Sequence, residues 1–345
     1  GKMAELMEKG SLPTAFLLGI LVGICEFPCT GGPYLMIIGL LHDKVTYLSG
    51  IGYLFLYNII FVLPLLIILF IPGLGLSVGE SRRWIQMVGF SFQPSEIAKL
   101  ALILYSSSWL ASHKRDIVSL WKGFLPFLVI SIPIPLLILV EPNISNFGIS
   151  IGLILILLFV AGARMSHLFG LGIITLLISA GALLLVPDRL DRILTFINPE
   201  GDPQGASYQI NQSLTAIGSG GLVGKGLGES SQKLGLLPEP SGDAIFAIIA
   251  EEFGFIGSAI LIILYLLFLI QGIIIAKRTG DAFYQYIATG FVFLVALQAF
   301  INISAVSGLL PLTGVTLPFI SYGSTSLVVF LGGSGIVAGI ARRKV

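Results

Sequence analysis

The chain reads as an all-α, polytopic membrane protein, on three observations. Hydrophobic residues make up 55% of the sequence and charged residues only 11%, whereas soluble domains carry roughly 25% charge. Mean hydropathy is +0.99. The apolar runs are continuous, near the ~20 residues that cross ~30 Å of hydrocarbon, and do not alternate as barrel strands would. Backbone groups in lipid must pair internally, so such runs are helices. The net charge of +1 singles out no electrostatic partner and gives no sign of nucleic-acid binding.

Candidate spans follow in order at 13–41, 47–72, 96–111, 124–140, 147–163, 168–186, 255–276, 284–306 and 325–341. This makes about nine helices, with a large extracytoplasmic loop between those near 168–186 and 255–276. The run 96–111 is short and holds Ser106, Ser107 and Ser108, so it is expected inside the bundle. Orientation follows from lysine and arginine in the short loops. The basic groups at 112–115 with Lys122, 162–167, 276–278 and 341–344 fall on one side by parity, which makes that side and the C-terminus cytoplasmic. Arg82/Arg83 and Arg189/Arg192 fall on the other side, against the sorting bias, and are candidates for binding an anion. Nine spans would leave the lysine-bearing residues 1–10 outside, which the same bias disfavours.

The extracytoplasmic segments carry the chemistry. Residues 237–254 gather Glu239, Asp243, Glu251 and Glu252 in a chain with only 18 acidic residues. A carboxylate where water meets hydrocarbon can hold a raised pKa and transfer protons; helix-capping acids in a solvated loop are the alternative. The segment 187–254 far exceeds an ordinary connection. Its glycines at 218, 220, 221, 224, 226 and 228, with Lys225 and Lys233, suit either a phosphate cradle of backbone N–H groups or a merely flexible loop. Pro94-Ser95-Glu96 resembles a helix start, with Glu96 and Lys99 at i, i+3 on one face. Residues 311–326, rich in proline, glycine and hydroxyls, suit a rigid lining beside a polar cavity. His42, His113 and His167 are scattered and form no metal-ligand pattern. A substrate with an anionic head and a lipid tail fits this surface.

Three stretches carry a resemblance: RRWIQMVGFSFQPSEIAKLALIL, the run from NPEGDPQGASYQINQSLTAIGSGG through LPEPSGDAIFAIIAEEFGFIG, and GLLPLTGVTLPFISYGSTS. They closely resemble the SEDS glycosyltransferases, nearer the FtsW division branch than the RodA elongation branch, over about residues 75–345. The resemblance implies a peptidoglycan glycan-strand polymerase in the cytoplasmic membrane, using lipid II and the nascent glycan-undecaprenyl diphosphate at the extracytoplasmic face. It implies a class B penicillin-binding protein as partner. By the same resemblance, Asp243 is the essential aspartate and Glu239 an accompanying loop acid. Glu96 and Lys99 form a structural pair. Arg82, Arg83, Trp84, Lys233, Gln209 and Ser321 fall at substrate-binding positions. The family's acid at the turn after the fifth span is Asn143 here, next to Glu141.

The implied reaction converts an α-linked donor into a β-linked product, so one displacement with a general base suffices, and Asp243 is the candidate base. The leaving diphosphate needs cations, from Arg82, Arg83 and Lys233 or from a divalent ion, magnesium or manganese. A lipid II transporter is the competing reading, although a transporter places its site near the midplane. Residues 1–74 stand apart: GICEFPCTGGPYLMIIGLL with the following apolar run resembles half of a CcdA/DsbD-type thiol-reducing membrane protein. The expectation is a separate two-helix segment, grafted or fused, in which Cys29 alone matches the family's Pro-Cys position.

Overall fold

A computed structural model of the chain describes residues 75–78, 81–87, 90–141, 143–185, 192, 196–197, 207–233 and 237–342, with the strands given as backbone. All lie within the unit Phe61–Val345. The spans expected at 13–41 and 47–72, with Cys25 and Cys29, lie outside the described residues.

The first described elements are three short strands, β1 (Gly75–Val78), β2 (Ser81–Met87) and β3 (Phe90–Phe92), in one antiparallel meander. Gly75 pairs with Ile85 and Leu76 with Trp84; the register then slips, so that Ser77 faces Arg82. On its other edge β2 pairs Ile85 with Phe92. This meander is an addition to the all-helical membrane body.

Eight long helices follow among the described residues. α1 (Pro94–Ser112) starts with proline in its first turn, where the missing N–H would have no partner, and Glu96 complements the positive end of its dipole. As expected, Ser106, Ser107 and Ser108 are buried, and Ser107 returns its hydroxyl to the Ile103 carbonyl. α2 (Leu120–Val140) opens with a π-helical turn and breaks between Ser131 and Pro133, because proline cannot donate to the preceding turn. Asn143 caps α3 (Ile144–Val160) by accepting the Asn146 N–H. The amide therefore performs the capping that an aspartate would. α4 (Met165–Leu185) buries only Leu171 fully among its described side chains, as a helix bordered by acyl chains would.

α5 (Tyr208–Gly220) buries Ile210, Ser213, Ala216 and Gly220, a one-face stripe, against α6 (Ile245–Arg278). α7 (Ala282–Val306) is the central helix: Phe291, Leu294 and Val295 are buried in a core shared with Ile103 of α1, Leu153 of α3 and Phe330 of α8 (Ser324–Arg342). Among the described residues, α2, α4, α6, α7 and α8 have the length and hydropathy of membrane spans, and α3 is a shorter apolar helix. Each span expected after residue 75 thus corresponds to a helix, with α1 the polar, internal one.

α6 is two helices joined at Gly254, whose φ of 66° lies in the left-handed region. The break leaves carbonyls and N–H groups without intrahelical partners, and the glycine-rich loop fills it. Lys225 and Gly226 donate to the Glu251 and Glu252 carbonyls (3.0 Å each), while Phe255 and Ile256 donate to Gly221 and Leu222 (2.9 and 3.1 Å). A Cβ on Gly224 would overlap the Glu252 carbonyl, and one on Gly254 the Leu222 carbonyl and Gly224 nitrogen. Glycine is required because two backbones touch here. The run is neither a phosphate cradle nor a free linker: these N–H groups serve the helix break.

Candidate active site

The acidic turn before α6 is built on the Glu239 carbonyl, which accepts the N–H groups of Gly242 (3.0 Å) and Ala244 (3.4 Å). Glu239 itself holds a left-handed φ of 48°; for a residue with a Cβ this costs roughly 1–2 kcal/mol, met by the bonds around it. Three consecutive carbonyls of the turn are each captured by a donor. Tyr322 N–H takes Ser241 O (2.8 Å), Ser321 Oγ takes Gly242 O (2.7 Å), and Asn302 Nδ2 takes Asp243 O (2.7 Å). Ser321 also accepts the Leu317 N–H at 2.7 Å, which ties residues 311–323 into the same assembly.

The Asp243 side chain is treated differently from its backbone. It is half-buried, and its Oδ1 is buried without a hydrogen-bond partner. On the other side, a Cβ on Gly314 would meet Oδ2 at 3.6 Å, an ordinary contact, and it is the left-handed φ of 63° that favours glycine there. Burial, then the like charge of Glu239, push its pKa up to about 6, against the pull of nearby backbone N–H groups and the Arg192 guanidinium. Arg192 is anchored on the facing loop, donating to the Leu312 carbonyl at 3.3 Å. The turn therefore presents a carboxylate with a vacant acceptor, a pKa in the range of a general base, and a cation beside it.

Glu96 and Lys99 form the buried pair the sequence anticipates, at 2.7 Å. The Lys99 ammonium uses all three donors: Glu96 Oε1, Asn146 Oδ1 (3.0 Å) and Gln298 Oε1 (2.8 Å). It thereby joins α1, α3 and α7 at the end of the bundle where Asp243 sits.

The other expected site residues divide. Gln209 is half-buried in the first turn of α5. Ser321 is buried and bonded to the turn's backbone, so it positions Asp243 from behind. Arg82, Arg83 and Trp84 fall on consecutive positions of β2, and their side chains lie outside the described residues. Lys233 has partners within the chain: its ammonium pairs with Glu252 (2.8 Å) and donates to the Gly228 carbonyl, which ties down the glycine loop. Lys225 does the same with Glu251 (2.6 Å), whose carboxylate also receives Ser230 and Ser231. Glu251 and Glu252 thus brace the helix break from inside the loop. Asn302 and Gln298 were not singled out by the sequence reading. Two amides one turn apart in an otherwise apolar helix are the signal that would have found them.

No group of three or more histidine, cysteine or acidic side chains suited to a metal occurs among the described residues. Glu239 and Asp243 are a two-carboxylate set, of the kind that holds magnesium when substrate phosphates and water complete the shell.

The fold defines a polytopic helical membrane protein, with the acidic turn of Glu239 and Asp243 at the loop end of its bundle. The sequence matches the FtsW/RodA/SpoVE family, described as cell cycle protein, over residues 36–345. It is 42% identical over 278 residues to stage V sporulation protein E of Bacillus subtilis, covering 81% of this chain and 76% of that one. It is 40% identical over 298 residues to the probable peptidoglycan glycosyltransferase FtsW of Coxiella burnetii, covering 84% and 78%. Among solved structures, it is similar to a chain from a peptidoglycan synthase complex described as coordinating polymerization and crosslinking (TM-score 0.66, 26% identity, 90% of this chain and 87% of that one). It is also similar to the rod shape determining protein RodA of Thermus thermophilus (TM-score 0.58, 25% identity, 90% and 84%). The chain belongs to the FtsW/RodA/SpoVE family. The family match starts at residue 36, inside the segment 1–74 that the thiol-reductase resemblance set apart.

Proposed function

We propose that this protein is a peptidoglycan glycan-strand polymerase, an inverting lipid II transglycosylase in which Asp243 is the general base. The observation that carries the reading is the Asp243 carboxylate: one oxygen buried and unpartnered, the group held near a pKa of about 6 by burial and Glu239, and the turn that bears it pinned at three consecutive carbonyls. In the reaction, Asp243 takes the proton from the 4-hydroxyl of the incoming lipid II GlcNAc. That oxygen forms a bond to C1 of the donor MurNAc as the C1–O bond to undecaprenyl diphosphate breaks. The electron pair leaves with the diphosphate and the linkage inverts from α to β. Arg192 supplies cationic stabilisation of the leaving group, with Arg82 and Arg83 of β2 as further candidates. A magnesium or manganese ion bound by Asp243 or Glu239 with the diphosphate would supply the same charge.

The membrane in question is the cytoplasmic one, with Asp243 on its extracytoplasmic face and the C-terminus inside. Support comes from the basic groups at 112–115, 162–167 and 276–278 and from Arg342, all at the opposite helix ends from Asp243. A class B penicillin-binding protein as partner is supported by the similar solved chain, taken from a complex that polymerises and crosslinks. The direct test is incubation of the purified protein, with and without such a partner, with lipid II in detergent micelles, where translocation has no meaning. Long glycan strands on a gel are expected. Absence of strands in both arms, with lipid II translocation in liposomes, would replace the polymerase with a transporter.

A further inference from the structure

One Asp243 carboxylate oxygen is buried without a partner, and the N–H groups that act on the carboxylate are those of Asp243 and Ala244, so the backbone of the turn places it. Two of the three donors holding the turn, Ser321 on Gly242 O and Tyr322 on Ser241 O, sit on the 311–323 loop, which is itself irregular. The third, Asn302, sits on α7 and is 1% exposed. Its amide nitrogen divides its two protons between Asp243 O (2.7 Å) and Val315 O (2.6 Å), fastening both the turn and the loop to one helix. One turn earlier, Gln298 (0% exposed) reads the next loop residue, donating to Thr316 O and Thr316 Oγ1 at 3.2 Å each. Gln298 Oε1 is in turn fixed by Lys99. A hydrogen-bonded ladder therefore runs from the Glu96–Lys99 pair through Gln298 and Thr316 to Val315 and Asn302, and ends on the Asp243 backbone.

Apolar side chains at positions 298 and 302 would suit the core of a membrane helix at lower desolvation cost, so these amides point to a task beyond packing. We propose that Asn302 is a positioning residue: it holds the Asp243 turn and the 311–323 loop in register with the membrane helices, and Gln298 with Lys99 holds Asn302's partner loop in place. Removing its donors leaves the turn tied to α7 only indirectly, through Ser321 and Tyr322 to a loop that Gln298 alone then fastens by its amide, so the turn can shift against α7. The acid then moves relative to a substrate anchored elsewhere, and gains water.

The inference rests on Asp243 as the base, and the test separates the two. Asn302→Leu keeps the branched outline, at larger volume, and deletes both donors; Asn302→Asp keeps shape and size with one proton at most. Polymerisation by each is measured as kcat, KM and their pH dependence in protein that elutes as a single species. Since a displacement of about 1 Å at a reacting group can remove about 10²-fold in rate, kcat is expected to fall about that far with KM little changed. The acid limb should move to lower pH as Asp243 becomes better hydrated beside Glu239 and Arg192, the charged groups acting on it. A structural role alone would lower the yield of folded protein and leave kcat and the limb in place. Wild-type kcat in both variants, or a loss of kcat with an unmoved acid limb, overturns the proposal. Polymerisation retained by Asp243→Asn would instead sink the base assignment beneath it.

Discussion

Lys99 is the residue whose loss the fold should tolerate least, and Lys99→Met is the informative change because it keeps length and apolar stem. The ammonium is 0% exposed and holds three acceptors, Glu96, Asn146 and Gln298, at 2.7, 3.0 and 2.8 Å. Its removal leaves Glu96, 3% exposed, as an uncompensated buried carboxylate. Breaking such a pair from one side costs about 3–5 kcal/mol. Gln298 cannot relieve its orphaned oxygen by turning its amide, since Nε2 is already committed to Thr316, and a buried acceptor left unpaired adds about 1–3 kcal/mol. A destabilisation of at least about 3 kcal/mol follows for Lys99→Met. Glu96→Gln/Lys99→Met removes the stranded charge and should recover about 2 kcal/mol or more of it. Denaturant unfolding in mixed micelles, followed by tryptophan fluorescence, gives both numbers. A single mutant within about 1 kcal/mol of the parent, or a double mutant worse than the single, would refute the reasoning, because the pair would then not be the charge-balanced hub described.

Other outcomes follow from the same contacts. Polymerisation should rise with pH through about 6, the value to which burial and Glu239 push Asp243, and Glu239→Gln should move that limb to lower pH; a pH–rate series reads both. Because the folded carboxyl binds its proton more tightly than the unfolded one, the stability tied to the protonated form is complete below the ordinary value of 3.8 and is lost as pH rises through about 6. Asp243→Asn should therefore raise the melting temperature more at about pH 7.5 than at about pH 4. Gly254→Ala places a Cβ against Leu222 and Gly224 at a left-handed φ and should cost about 2–5 kcal/mol, with faster protease cleavage within 220–233. In contrast, Gly218→Ala on the open face of α5 should be neutral or stabilising by about 0.5–1 kcal/mol. Lys233→Ala and Glu252→Ala, partners at 2.8 Å, should have matching effects on loop protection and be non-additive in the double mutant. An independent effect of Lys233 on substrate KM would show that it also meets the substrate.

The membrane helices were legible because hydropathy over long windows is a strong signal, and α1 was placed inside the bundle by its three serines, which are buried. The β1–β3 meander was not, since strands of 4, 7 and 3 residues carry too few positions for a period of two to show. Asp243 and the Glu96–Lys99 pair were readable from rare charges in an apolar chain. The partner of Lys233 was not readable. Glu251 and Glu252 looked like helix-end acids, and only the break at Gly254 frees their carbonyls to receive the glycine loop while their carboxylates take its two lysines. Gly254 itself sits between apolar residues, where sequence offers no sign that a helix opens. Arg192 stood out by topology, as a cation on the disfavoured side. Asn302 and Gln298 were overlooked because their neighbours dominate the window average, although intramembrane amides mark function more often than packing.

The central claim is that Asp243 removes the proton in glycan polymerisation. The most direct measurement is polymer formation from purified lipid II by Asp243→Ala, together with its partner, in protein whose elution and melting match the parent. The account predicts no strands above background from folded protein, with activity returning partway in Asp243→Glu. Strands at a rate near that of the parent would contradict it.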